Sequence, residues 1–220
     1  MQKKSIIGYG SFILVLLGVL SAFGPFVTDM YLPALPQLQT FYATDASTVQ
    51  LSLSASMLGL ALGQIFIGPV SDKYGRKPLV IISLLIFILS TLACLWAPSI
   101  HVFVALRFIQ GIGGAGGIVL SRSVATDRYW GEILAKMMAI IGAINGIAPV
   151  VAPVAGGMMT DSIGWRGIFT ALLAIGVLLL IASCFMKESL APEKRSNEGL
   201  IRTFASFRKI LSNPRFVNIW

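Results

Sequence analysis

The sequence predicts an all-α membrane protein with six transmembrane helices, and three observations carry that prediction. Of 220 residues, 56% are hydrophobic and only 12% charged, with a mean hydropathy of +0.84; an ordinary soluble domain is roughly 45–50% apolar. The apolar residues gather into six runs, each near the roughly 20 residues needed to cross about 30 Å of hydrocarbon. Basic residues fall almost wholly in alternate connections between those runs.

The runs occupy approximately residues 6–33, 48–70, 78–96, 102–125, 137–159 and 167–186. The first is too long for a signal peptide and has no small-residue cleavage pattern, so it reads as a retained span. Glycines and prolines interrupt several runs, which membrane helices tolerate because neighbouring helices re-satisfy the freed backbone groups. The two cysteines, Cys94 and Cys184, both lie in apolar runs and read as reduced packing residues.

Orientation follows from charge. Lys3 and Lys4 precede the first run, Lys73, Arg76 and Lys77 separate the second from the third, and Arg122, Arg128 and Lys136 flank the fourth and fifth. Lys187, Lys194, Arg195, Arg202, Arg208, Lys209 and Arg215 follow the sixth, whereas the opposite connections hold only Arg166. The positive-inside rule then puts the N-terminus and the segment after Met186 in the cytoplasm. The net charge of +8 therefore reports topology and not a nucleic-acid partner, since the cations are spread over loops instead of one patch.

Three segments are expected: a six-helix domain over 1–186, a cytoplasmic linker over 187–212, and the start of a seventh span over 213–220. The linker opens with the charged, turn-rich "KESLAPEKRSNEG". Its second part, "LIRTFASFRKIL", sets Leu200, Ile201, Phe204, Phe207 and Leu211 near one helical face, as in an interfacial helix. Asn213 and Pro214 then form a helix start, so a second half is expected beyond Trp220.

Polar residues inside the spans carry the functional argument. Between Lys4 and Asp45 the only charge is Asp29. It either caps a helix near the headgroups or faces the protein interior, where an expensive acid is the usual mark of function. Burial raises a carboxylate's pKa and a nearby cation lowers it, so a site with both can bind and release a proton. Arg107 is the candidate cation: at about 1.5 Å per residue it lies roughly 13 Å into the fourth span, and Asp29 roughly 10 Å from the same surface if the first helix persists to about Pro36. Snorkelling to the headgroups is the alternative for Arg107. Asn145, Gln64 and Gln110 are weaker polar candidates, for a substrate or for interhelical hydrogen bonds. Phe23, Phe26 and Met57 either line a pocket for an apolar compound or pack in the core.

Three motifs complete the picture: "GPVSDKYGRKP" between the second and third runs, "RFIQGIGGAGG" in the fourth and "APVVAPVAGG" in the fifth. Gly75 is placed to adopt positive φ in a tight turn. In this order the motifs resemble those of the major facilitator superfamily. The loop signature G-x-L-a-D-r-x-G-r-k is matched by Gly68, Asp72, Lys73, Gly75, Arg76 and Lys77, and R-x-x-q-G by Arg107, Gln110 and Gly111. The antiporter signature G-P-x-x-G-G is matched by Pro153, Gly156 and Gly157, with Ala152 in place of its first glycine; Pro149 precedes it. With "TDMYLPALP", the pattern is most similar to the bicyclomycin-resistance branch of twelve-span drug/proton antiporters.

That resemblance implies two inverted three-helix repeats, a substrate cavity lined by spans one, two, four and five, and a partner half of six more helices. It also implies a cytoplasmic gate in which Asp72 and Arg76 stabilise closure, and a bacterial inner-membrane location. The expected function is export of small, largely apolar compounds in exchange for protons. The alternatives are a facilitator or symporter for a polar or zwitterionic metabolite, and a membrane assembly protein without transport. Expected partners are a small-molecule substrate, protons and the bilayer, with no cofactor. No enzyme is expected, because "GIGGAGG" follows no strand and no metal cluster or nucleophile–base pair is present.

Overall fold

The computed structural model describes the backbone of residues 2–195 and the side chains of residues 10–193 and 195. The expected interfacial helix and seventh span lie outside the described residues. Within them the regular structure is all helical: α1 (Gln2–Ser21), α2 (Phe23–Thr28), α3 (Leu35–Phe41), α4 (Ala46–Tyr74), α5 (Arg76–Leu95), α6 (Ile100–Arg128) and α7 (Gly131–Phe185). Short 3-10 turns occupy Leu32–Ala34 and Pro192–Lys194.

The first span is not the continuous helix that the sequence suggested. Proline has no N–H to give and its ring collides with the carbonyl four residues earlier. Pro25 thus ends α1 at Ser21, and Pro33 leaves the Asp29 carbonyl without its helical donor, so α2 stops at Thr28. The segments Gly10–Ser21 and Phe23–Phe41 are bent by 42° and together make one broken crossing.

The other helices start and stop for identifiable reasons. Asp45 caps α4, its Oδ1 accepting from the Thr48 N–H at 2.7 Å, and Ser99 caps α6 by accepting from the Val102 N–H. Gly75, at φ 104° and ψ 158°, ends α4 and begins α5, as the turn reading requires. At 55 residues, α7 would be roughly 80 Å long, far beyond one bilayer. It reverses at Gly164, whose φ is 73°. Residues 160–165 meet Gln37 at one end of the bundle, while the Cys184 carbonyl returns to Lys77 at the other. With α4, α5 and α6 the described residues therefore make six crossings.

The fourth span, α6, is the hub, and its glycines explain why. A Cβ at Gly111 would overlap the Ser56 carbonyl of α4, and one at Gly113 would lie 2.5 Å from the Phe87 nitrogen of α5. Without side chains there, α6 meets both neighbours at backbone distance, the usual means of holding membrane helices together.

Candidate functional site

The breaks in the first span place its acid. Asp29 is half-buried at the C-terminal end of α2, its N–H bonded to the Pro25 carbonyl at 2.7 Å. The Thr28 hydroxyl lies 2.8 Å from Asp29 Oδ1 and 3.0 Å from the Gly24 carbonyl, and its one proton serves both. Two apolar grooves flank this segment. One, of about 290 Å³, runs between α2 and α4 and is lined by Pro25, Thr28, Met57, Ala61 and Gln64. The other, of about 200 Å³, lies between Ala22 and Phe26 on one side and Ile144, Ile147 and Val151 of α7 on the other.

Arg107 does not pair with Asp29, and the expected ion pair is corrected here. The guanidinium is fully buried. It donates from Nη2 to the Val27 carbonyl at 2.8 Å and from Nη1 to the Gln110 side-chain oxygen. It lies 4.3 Å from the centre of the Tyr31 ring and 5.7 Å from that of Phe169, while Nε has no partner. The short helix α2 supplies what a carboxylate would have supplied: a carbonyl at its negative end. The aromatic faces add cation–π attraction, which is larger in a desolvated site.

Two of the cavity candidates take the other of their two readings. Gln110 lines no groove; it is fully buried, receiving Arg107 and donating to the Thr91 hydroxyl at 2.7 Å. Phe23 is 1% exposed and packs on Phe87 with ring centres 4.4 Å apart, so it belongs to the core. Phe26 and Met57 do border the grooves, and Met57 is 56% exposed. Asn145 is half-buried.

In the fifth-span motif Gly156 and Gly157 differ. A Cβ at Gly156 would overlap the Met30 carbonyl, whereas one at Gly157 would meet nothing. Gly156 thus lets α7 touch the broken first span just beyond Asp29. Pro149 is exposed, Pro153 half-buried and Ala152 fully buried.

A second polar cluster closes the basic end of the bundle. Arg76 bonds Asp127 through Nε at 2.9 Å, and its Nη1 reaches Asp72 at 2.6 Å and the Ser71 hydroxyl at 2.5 Å. Gly68, one turn earlier, accepts the Ser71 hydroxyl on its carbonyl at 2.7 Å. The Arg76 and Lys77 N–H groups donate to Glu188 at 3.0 and 3.2 Å. The loop motif therefore binds its own Asp72, the one legible partner, and acids from two other parts of the chain, Asp127 and Glu188. Asp127 offered a faint signal, an isolated acid at the end of an apolar run, as Asp72 is. Nothing in the sequence pointed to Glu188, Tyr31 or Gln37 as partners.

Comparison with known proteins follows the same lines. A family model described as Major Facilitator Superfamily matches residues 11–220. The chain belongs to the Major Facilitator Superfamily. Its relatives include the MFS-type transporter YdgK of Bacillus subtilis, 38% identical over 92% of this chain and 51% of that protein. They also include a bicyclomycin resistance protein homolog of Haemophilus influenzae, 34% identical over 91% of this chain and 48% of that protein. The chain thus spans about half the length of the curated relatives it matches. A crystal structure of a D-xylose-proton symporter superimposes on 96% of the chain and 55% of its own, with a TM-score of 0.74 at 16% identity, and so shares the fold. Among the matched proteins, YdgK is described as a transporter and the D-xylose protein as a symporter.

Proposed function

We propose that residues 1–186 are the N-terminal six-helix half of a proton-coupled exporter of small, largely apolar compounds, with 187–212 its linker and 213–220 the start of a seventh span. The observation that carries this reading is the placement of Asp29. It sits at a proline-made break and accepts a hydrogen bond from the hydroxyl of Thr28, which itself lines the groove beside Met57. An acid that touches a substrate-sized apolar groove through one hydroxyl can exchange its proton for an apolar cargo.

Asp29 is accordingly assigned the coupling proton. Arg107 acts on it through structure, holding the Val27 carbonyl two residues away and so fixing the break. The apolar lining favours an uncharged cargo over a zwitterion, whose carboxylate would find Arg107 already engaged. Phe26, Met57 and Asn145 are assigned to the cavity walls, and Pro149, Pro153, Gly156 and Gly157 to the bending of α7 that alternating access needs. The partner half would complete the cavity.

Arg76, Arg128 and Lys187 share one end of the bundle, which by the positive-inside rule faces the cytoplasm of a bacterial inner membrane. There Gly68, Asp72, Gly75 and Arg76 form the gate, biasing the two access states without touching cargo.

The test is proton release on adding a panel of apolar compounds to the detergent-solubilised full-length protein across a pH series. Asp29→Asn should abolish release and uphill export while sparing some downhill movement. Release equal to wild type would remove Asp29 from the coupling path.

A further inference from the structure

Glu188 stands on no span and in no recognised motif, yet its carboxylate is among the most heavily bonded groups in the structure. Oε1 accepts from the backbone N–H of Arg76 at 3.0 Å, Ser189 at 2.9 Å and Leu190 at 3.1 Å, and Oε2 accepts from that of Lys77 at 3.2 Å. Arg76 and Lys77 are the first residues of α5, so two of the N–H groups that every helix start leaves without partners are satisfied from the far side of the sixth span. A carboxylate is suited to that position because it meets the positive end of the helix.

Two further hydrogen bonds reinforce the junction, one of them through Asp127 of α6. The Ser189 hydroxyl donates to Asp127 Oδ2 at 3.1 Å, the oxygen that also receives Arg76 Nε. Lys77 Nζ donates to the Cys184 carbonyl at 2.7 Å. Met186 and Leu190, on either side of Glu188, are buried. The fit leaves no space at the turn: a Cβ on Gly75 would lie 2.6 Å from Glu188 Oε2. Position 75 therefore favours glycine for its positive φ, and a Cβ there would also displace the carboxylate above it.

We infer that Glu188 is a positioning residue of the gate: its carboxylate caps α5 and binds the Arg76 loop to the segment that leaves the sixth span. This rests on the reading of Asp72 and Arg76 as the gate. The consequence is mechanical. The loop and the exit of the sixth span move as one body, so a displacement of the segment that leads out of this half is delivered to Arg76 and its two carboxylates. Glu188 touches no cargo, and its loss changes the rate of switching rather than cargo affinity.

The test pairs amide hydrogen exchange with transport in the full-length protein reconstituted in liposomes. In Glu188→Ala, exchange at Arg76 and Lys77 should quicken at least about tenfold, as expected for losing charge-assisted hydrogen bonds, while the interior of α5 around Phe87 keeps its protection. Maximal transport rate should fall with KM unchanged. Glu188→Gln, which keeps an acceptor but not the charge, should be intermediate in both and stands in if the alanine variant does not fold. Wild-type exchange at the two amides in a folded variant would overturn the cap. Faster exchange with an unchanged rate, where Asp72→Asn and Arg76→Gln are slow, would overturn the positioning role and leave the gate intact. Wild-type rates in Asp72→Asn and Arg76→Gln as well would overturn the gate itself.

Discussion

Arg107 and Val27, 80 positions apart in sequence, are joined by a guanidinium-to-carbonyl hydrogen bond of 2.8 Å. Because the arginine is fully buried, this bond and the neighbouring Tyr31 ring hold α6 to the broken first span where the helix has run out of donors. A buried cation answered by a backbone carbonyl and two aromatic faces has different weaknesses from one answered by a carboxylate.

Arg107→Ala should therefore destabilise the bundle by about 3 kcal/mol, through a cavity and the stranded Val27 carbonyl and Gln110 amide. Arg107→Lys should lose roughly half as much, since an ammonium keeps the charge but cannot reach Val27 and Gln110 together as a planar fork does. Asp29→Asn should leave stability within about 0.5 kcal/mol of wild type, as for a change that breaks no packing or buried ion pair. Unfolding in mixed micelles measures all three, and equal losses for Arg107→Ala and Asp29→Asn would contradict the absence of their pairing.

The two glycines of the fifth span should part company. Gly156→Ala must push α7 away from the Met30 carbonyl, at a cost of about 1–3 kcal/mol typical of overpacking. Gly157→Ala meets open space and should be neutral for the stability of this half. Thermal melting of the purified single variants compares them directly.

At the basic end Asp127 should matter more than Asp72 for folding. The Asp127 side chain is 17% exposed and that of Asp72 49%, so water screens the second pair far more. Asp127→Asn should cost about 1–3 kcal/mol and Asp72→Asn at most about 1 kcal/mol. A double-mutant cycle of each with Arg76→Gln would show it, and a larger coupling for Asp72 would reverse the ranking.

Orientation can be read with thiols. In a Cys184→Ser background, a cysteine at exposed Lys136 should resist an impermeant reagent in intact cells, and one at exposed His101 should react. The opposite pattern would invert the assignment of the gate to the cytoplasmic side.

Gln37 supplies a last contrast. Its amide donates to the Thr160 carbonyl at 2.9 Å and accepts from the Trp165 N–H at 2.8 Å, bridging the reversal at Gly164. Gln37→Glu keeps the acceptor but sets a carboxylate against the Thr160 carbonyl, so it should cost about 1–2 kcal/mol more than loss of one neutral hydrogen bond. Unfolding measurements at neutral and acidic pH distinguish the two, because protonation restores a donor.

The sequence by itself determined the helical class, the six crossings, the clustering of positive charge at alternate connections, the positive φ of Gly75 and the family. These follow from local rules: apolar length against bilayer thickness, proline and glycine chemistry, and charge next to a span. It also placed Asp29 and Arg107 at a common depth. What it left open was the partner of each. Burial dictates that Arg107 be satisfied, but a carbonyl at the end of a short helix meets that need as well as a carboxylate does, and only the tertiary structure decided between Val27 and Asp29. The same holds for Phe23, Gln110 and Met57. Lipid and protein core are equally apolar, so hydrophobicity does not tell which face of a membrane helix turns inward. The partners of Asp127 and Glu188 stayed illegible because the hydrogen bonds that give them meaning cross 51 and 112 positions of chain, and only the folded bundle brings those ends together.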